Sequence, residues 1–516
     1  NLPKKHGAGH SEGGWKVNHQ ALKNIISVCP LAGVIAVILL CFSQVFAIPP
    51  RPEAIEFQPL EYMPPRAADF RRMLSDGTIV YVAESHEFPL VNVSITFKGG
   101  GSLDPAATPG LASVMARMVR EGGAGDMSPA MFDETLDFLA TEMSVSAGNT
   151  FTTARMNSLS GNLDESLQLF VTMLRKPAFE KQRLEVVKAR LLESLKQRND
   201  NASSILAREW KAMLYGRNHF EASQPTAGSV EAISREQLEA IHRQIIHPGN
   251  MIVAVSGDFA AEEMLEKLTK AFQGWERGTV APDPKMPEAV LVPGLYHIQK
   301  EIPQGKVVLG KRGIVRDDPD AIPLLLLNEI LGAGGFTSRL MQKVRSNEGL
   351  AYSVRSILSQ RINYPGAFQA TFESKNPTVA LATKIVLGEI ALIRQQPVTD
   401  EEIEVAKQGL IETFPRQFES KPTTLQVFVN DEWTNRPKDY WQTFREKVRS
   451  VTKDDLLRVA KKHLDPSQMA ILVVGDWEAI ASGDLEGRAT MKEFFGGEVK
   501  HLPLRDPLTL EPLPLD

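Results

Sequence analysis

The end of one half of this chain is written again at the end of the other. Residues 241–258 run I-H-R-Q-I-I-H-P-G-N-M-I-V-A-V-S-G-D, and residues 460–476 run A-K-K-H-L-D-P-S-Q-M-A-I-L-V-V-G-D. Pro248 answers Pro466 and Gly257 answers Gly475, both at a spacing of 218 (466 − 248 and 475 − 257). Upstream, Pro177, Val186, Lys188 and Glu193 are answered by Pro397, Val405, Lys407 and Glu412, at spacings of 219 or 220 (405 − 186 and 397 − 177). Self-similarity at this period indicates a domain of about 220 residues used twice, a tandem pair and not a solenoid. Two such domains fill most of a 516-residue chain, so the remainder is left to termini and a link.

Within each copy, strands and helices mix without a regular βαβ alternation. That pattern favours an α+β fold with an antiparallel sheet packed by helices. In the first copy, Ser75-Asp76-Gly77 is a hairpin turn leading into a strand over 78–82, and Val91 to Phe97 alternates as a half-buried strand. Gly110 to Gly123 is a helix: Pro109-Gly110 opens it, Leu111, Val114, Met115 and Met118 recur at helical spacing, and Gly122-Gly123 closes it. A helix capped by Ser128, paired strands over 142–147 and 151–158, and helices over 163–174 and 181–198 follow. The expected domains are 69–278 and 298–480. A Pro/Gly-rich link spans 279–297, and a Pro/Leu-rich tail over 481–516 ends as an extended appendage from about Gly496.

The first 47 residues have a targeting pattern. Lys16 and Lys23 precede an apolar run from Ile25 to Phe42, and Val45-Phe46-Ala47 offers a small-x-small cleavage site before the Pro-rich linker of 48–68. Cleavage after Ala47 gives a periplasmic or secreted protein. Retention gives a membrane anchor on the same side, through a span that Pro30 and Gly33 weaken. Both cysteines, Cys29 and Cys41, fall in this segment, which leaves no disulfide or zinc–thiolate site beyond it. A net charge of −5 and the lack of a basic run exclude nucleic acid as the expected partner.

With the run Gly99-Gly100-Gly101-Ser102-Leu103-Asp104 before it, the Gly110 helix resembles the first helix of the pitrilysin/insulinase family of peptidases, in its mitochondrial-processing-peptidase-like branch. There the helix is G-L-A-H-x-x-E-H-M, the inverted zincin motif, whose two His bind Zn²⁺ and whose Glu activates water. On that frame the four positions are Ser113, Ala116, Arg117 and Met118, and only the Met is kept. Ala116 has no proton-accepting group, Ser113 is a poor zinc ligand, and Arg117 puts a permanent cation at the metal's place. The family's third ligand corresponds to Glu193, 76 residues after Arg117 (193 − 117), which is read as a relic or a partner of Arg117.

In the second copy, Gly334-Gly335-Phe336-Thr337-Ser338-Arg339-Leu340, then Arg345 and Gly349-Leu350-Ala351-Tyr352-Ser353-Val354, resembles the family's G-G-x-x-S-R-L…R-x-x-x-G-L-A-Y-S-V segment. The resemblance implies a tandem pair of homologous α/β-roll domains enclosing a chamber. It also implies that Arg339 and Tyr352 reach a substrate peptide, where an Arg and a phenol can stabilise an oxyanion. Pattern alone favours Arg339 capping or salt-bridging a helix and Tyr352 packing in the core; the resemblance reverses that preference.

The sequence therefore implies no catalytic or metal site of its own and no cofactor bound by this chain. The expected role is a substrate-binding subunit, through Arg339 and Tyr352, of a heterodimer whose zinc is held by a homologous motif-bearing subunit. The alternative is a proteolytically inactive structural or peptide-binding protein of the same fold. The targeting segment makes one prediction by itself. Expressed at full length in a bacterium, the protein is recovered from the extracytoplasmic fraction with Ile48 as its N-terminus or membrane-held with its N-terminus intact; recovery in the cytosol overturns it.

Overall fold

The computed structural model describes residues 62–515. The targeting segment, both cysteines and most of the Pro-rich linker lie outside the described residues.

The first half builds a six-stranded sheet from β1 (Arg71–Met73), β2 (Ile79–Glu84), β3 (Leu90–Lys98), β4 (Glu142–Ala147), β5 (Phe151–Leu159) and β6 (Met251–Gly257), in the order β1-β2-β6-β3-β5-β4. The second builds β7 (Gly294–Gln299), β8 (Gln304–Arg312), β9 (Val354–Leu358), β10 (Ala367–Lys375), β11 (Ala470–Gly475) and β12 (Val499–His501), in the order β12-β7-β11-β8-β10-β9. The inner run β2-β6-β3-β5-β4 corresponds to β7-β11-β8-β10-β9 strand for strand, which is the duplication in three dimensions, while the remaining edge strand differs: β1 precedes β2 and pairs antiparallel, and β12 comes from the tail and pairs parallel to β7. The expectation of antiparallel sheets needs one correction. β6 and β11 return after the helices and enter parallel to β2 and β7, because a long crossover brings the chain back in the same direction.

The helices of eight or more residues are α1 (Leu111–Glu121), α2 (Pro129–Phe138), α3 (Leu163–Arg175), α4 (Lys181–Lys196), α5 (Ala202–Tyr215), α6 (Arg235–Ile245) and α7 (Ala261–Phe272) in the first half. The second has α8 (Ala321–Asn328), α9 (Val379–Gln395), α10 (Asp400–Thr413), α11 (Lys421–Trp433), α12 (Tyr440–Ser450) and α13 (Lys453–His463). Corresponding helices begin 219 apart at α4 and α10 (400 − 181) and again at α5 and α11 (421 − 202).

The returning strands β6 and β11 are buried along their whole length, so both faces of each sheet are covered. Alternate residues of β6 point to opposite sides. Val253 and Val255 join the core under α1, α3 and α6, while Ile252 and Ala254 join Tyr81 and Ala83 on the other face. That other face is covered by Leu425, Phe428 and Val429 of α11, a helix from the second half. The reverse also holds. Ile205, Trp210 and Leu214 of α5 cover Ile298, Val308, Leu472 and Val474 of the second sheet. Each half thus lends one helix to the other.

Polar ties fix both loans. Glu432 on α11 accepts from Arg71 at 3.0 and 3.1 Å and from the Tyr81 hydroxyl at 2.7 Å. The Trp210 indole on α5 donates to the Gln369 side-chain oxygen at 2.6 Å. Between the halves, the buried Glu221 carboxylate accepts from the Tyr364 hydroxyl at 2.6 Å and the Asn149 amide at 3.1 Å, with Arg361 at 3.2 Å.

Two stretches depart from the sequence expectation. Gly294–Gln299, placed in the link and at the start of the second domain, is one strand of the sheet, β7. The tail is no free appendage. β12 adds to the sheet beside β7, the buried His297 ring meets the His501 ring with Nδ1 atoms 3.0 Å apart, and the Leu508 carbonyl accepts from the Ala227 amide at 2.8 Å. Three residues against a parallel edge give no periodicity to read, so only the finished sheet recruits them.

The exchanged helices predict a coupled fold. Trp210→Ala and Phe428→Ala, one on each loaned helix, should each cost about 3–5 kcal/mol, whereas Phe138→Ala, at an exposed ring, should stay within about 0.5 kcal/mol. Urea unfolding followed by tryptophan fluorescence checks this. Each core variant should shift one common transition, and a separate early transition for one half would contradict the coupling.

Candidate functional site

Helix α1 carries the positions where the sequence places a lost metal site. Asp104 sets its start, accepting from the Gly110 amide through Oδ2 and from the Ala112 amide through Oδ1, each at 2.7 Å. Burial pushes the Asp104 carboxyl up to about 6, with those two hydrogen bonds pulling the other way. Gly110, at φ 92°, and Gly123, at φ 84°, bound the helix in the left-handed region that favours glycine. Leu111, Val114, Met115, Met118 and Val119 face the core, which turns Ser113 and Arg117 outward and leaves Ala116 buried.

The metal-ligand geometry is absent from these positions. Arg117 is 48% exposed, with Nε 3.9 Å from Glu121 Oε1. Glu193 does not pair with Arg117: it is 61% exposed and accepts from Lys196, one turn along its own helix, at 2.9 Å. A guanidinium, an alanine, a hydroxyl and a lysine-paired carboxylate make no zinc donor set, so the residues do not fit the group that the resemblance implies. Ser113 lines a cavity of about 300 Å³ with Asp104, Asn149, His219, Phe220 and Lys285. Sequence reasoning singled out neither Asn149 nor His219, because they come from the β4–β5 turn and from the loop after α5.

In the second half, Arg339 forms a two-pronged pair with Glu402, Nε to Oε1 at 2.6 Å and Nη2 to Oε2 at 2.8 Å, and its side chain is 14% exposed. Glu402 is also the third residue of α10 and closes a capping box with the N-cap Thr399, from whose amide it accepts at 2.8 Å. Burial would raise the Glu402 carboxyl, but the hydrogen bonds from Arg339 and Thr399 hold it below the ordinary range. Glu402 corresponds to Arg183 in the first half (402 − 183 = 219), which binds Glu121 at 2.6 Å. The same place in both copies holds an ion pair with its polarity exchanged.

Tyr352 does not pack in the core. Its ring is 84% exposed and stacks on the Arg345 guanidinium at 4.6 Å, with Phe336 on that guanidinium at 4.7 Å. Tyr352 also lines a cavity of about 710 Å³ with Arg355, Glu373, Lys375 and Arg488. Such a surface can hold a peptide through a phenol and cations, and it contains no residue set for nucleophilic or metal-assisted hydrolysis.

Asp318, Asp320 and His463 form the one cluster among the described residues with metal-like spacing. It is already filled. Asp320 accepts from Arg458 and Lys462 at 2.7 Å and from His463 at 2.8 Å. Burial would raise its carboxyl, yet these three donors hold it far below the usual range.

Fold and site together define a duplicated peptidase-like protein in which Ser113, Ala116 and Arg117 stand on α1 where the resemblance places a zinc motif. The insulinase (peptidase family M16) domain matches residues 79–225, and the peptidase M16 inactive domain matches residues 232–410. The chain belongs to this family. It is similar to the non-peptidase homolog YmxG of Helicobacter pylori, 25% identical over 408 residues that make up 77% of this chain and 91% of that protein. It is also similar to an uncharacterized zinc protease of Streptomyces coelicolor, 24% identical over 69% of this chain and 77% of the other. Among solved structures, a peptidase M16 inactive domain from Pseudomonas fluorescens superposes with a TM-score of 0.71 at 25% identity, covering 79% of this chain and 98% of that one.

Replacement of the ligands predicts that the purified protein holds well under one zinc per chain by elemental analysis and cleaves no peptide alone. A stoichiometric zinc that is lost on Glu193→Ala would overturn this.

Proposed function

We propose that this protein is the non-catalytic subunit of a heteromeric zinc peptidase. It lends a substrate-binding surface, centred on Arg339 and Tyr352, to an active site whose zinc is held by a homologous motif-bearing subunit. One observation carries the reading: Ser113, Ala116 and Arg117 occupy the motif positions of α1, while Tyr352 in the second half stands 84% exposed on a cation-backed surface. An exposed phenol is a hydrogen-bond donor for a substrate carbonyl, and Arg345 behind it holds the ring in place. The inactive-domain and non-peptidase names among the relatives support the same reading. On this reading the complex works on peptides outside the cytoplasm, reached through the N-terminal segment, which either is cleaved or stays in the membrane.

A structural reading has its own observation. Arg339 is locked to Glu402 at the start of α10, an arrangement that a pure scaffold would also need. In the subunit reading, Arg339 positions the segment and Tyr352 makes the contact.

Steady-state kinetics of the chain reconstituted with a motif-bearing relative separates the two. The complex should cleave peptides that neither chain cleaves alone. Tyr352→Phe should lower turnover on the order of 10²–10³-fold if the phenol stabilises the transition state. If it only holds substrate, the change should fall on KM. Arg339→Ala should lower both turnover and Tm, since it frees the half-buried Glu402. Unchanged kinetics in both variants would leave the protein a scaffold.

A further inference from the structure

We propose that Arg117, Arg183 and Arg190 form a carboxylate-recognition site, which takes an acidic side chain or the C-terminal carboxylate of a bound peptide. The inference rests on the peptide-binding reading above and adds the chemistry of the peptide.

The three guanidiniums come from two packed helices. Arg117 is on α1, while Arg183 and Arg190 lie seven apart (190 − 183), on one face of α4. A single carboxylate, Glu121, serves all three. It gives Arg183 a 2.6 Å bond, while Arg190 is 3.5 Å and Arg117 3.9 Å from its oxygens. Those two distances are at or beyond the limit of a good hydrogen bond. Arg190 and Arg117 stay 56% and 48% exposed, with most of their donors free for a ligand.

Neighbouring carboxylates do not complete the pairing. Glu185 and Glu193 on α4 go to Lys188 and Lys196 of the same helix, and Asp133 takes Arg120. Three cations against one anion leave a local excess of two positive charges (3 − 1) in a chain whose net charge is −5. A planar guanidinium presents two parallel N–H donors that match a carboxylate, and this geometry is why arginine is used for such anions.

The place fits a peptide. Ser113, which lines the 300 Å³ cavity, and Arg117 are four apart on one face of α1, with Cβ atoms about 5–6 Å from each other. An extended peptide advances about 3.3 Å per residue, so a residue seated by Ser113 puts the one about two further along at Arg117. Residues two apart on an extended chain face the same side, so both can point at α1. The cation that replaces a metal ligand thus becomes a selector for acidic sequence.

Fluorescence anisotropy with the full chain and three short labelled peptides tests this. One peptide is neutral with an amidated C-terminus, one has a single internal Glu, and one keeps a free C-terminal carboxylate. At least one carboxylate peptide should bind about tenfold or more tighter than the neutral one, and the better of the two identifies the source. The preference should vanish in an Arg117→Gln/Arg190→Gln double variant, which keeps the Arg183–Glu121 pair. It should grow in Glu121→Gln, where the competing carboxylate is gone; a merely structural Glu121 would lower Tm and leave the preference unchanged. Equal affinity for all three peptides, or a preference that survives the double variant, overturns this inference alone. Displacement by inorganic phosphate but not by acetate at equal ionic strength overturns it in favour of a phosphate site. Binding of none of the peptides overturns both the inference and the peptide-binding reading.

Discussion

Each sheet in this protein has a second apolar face that its own half cannot cover. β6 and β11 are buried on both sides, so leaving one face to water would expose the Ile252 and Ala254 side of one sheet and the Leu472 and Val474 side of the other. The fold answers by exchange, with α5 crossing to the second sheet and α11 to the first. At about 25 cal/mol per Å² of apolar surface, faces of this kind dominate the folding free energy. The two halves therefore pack as one body, and the relative placement of everything else follows. The buried Glu221, held by Asn149 from one half and Tyr364 from the other, sits at the seam that this exchange creates.

Coupling of the halves gives the surviving surface its meaning. The exchanged helices hold the two halves together, so α1 in one half and the Tyr352 surface in the other keep fixed places in one body. The first half has the α1 helix with its Asp104 cap and glycine boundaries, and Ser113, Ala116 and Arg117 along it. The second half keeps an exposed Tyr352 beside Arg345. Arg117 on α1 and two more arginines on α4 surround the single carboxylate of Glu121.

Much of this was legible before any coordinates. The helix over Gly110 to Gly123, the hairpin at Asp76-Gly77, the strand over 142–147 and the helix capped by Ser128 stand where apolar spacing and turn chemistry put them. What the pattern missed is what other elements had to create. β12 is three residues that become a strand only beside β7. The segments over 329–333 and 341–347 wind as π-helix, which has no sequence signature. Pattern alone favoured Tyr352 for the core, and the fold instead leaves it exposed against the Arg345 guanidinium.

The chain by itself determined the duplication, the order of elements and which residues stand at the motif positions of α1. Those depend on residue identity and spacing: no packing gives Ala116 a base or turns Arg117 into a zinc ligand. Tertiary structure alone decided which charges meet. Glu121 and Arg183 are 62 residues apart, Arg339 and Glu402 are 63, and Tyr81 and Glu432 are 351. A guanidinium binds a carboxylate only within a few ångströms and in one plane, and that condition is met or missed by how helices pack. The sequence supplies the groups; the packing of α1 on α4 and the exchange of α5 and α11 choose their partners.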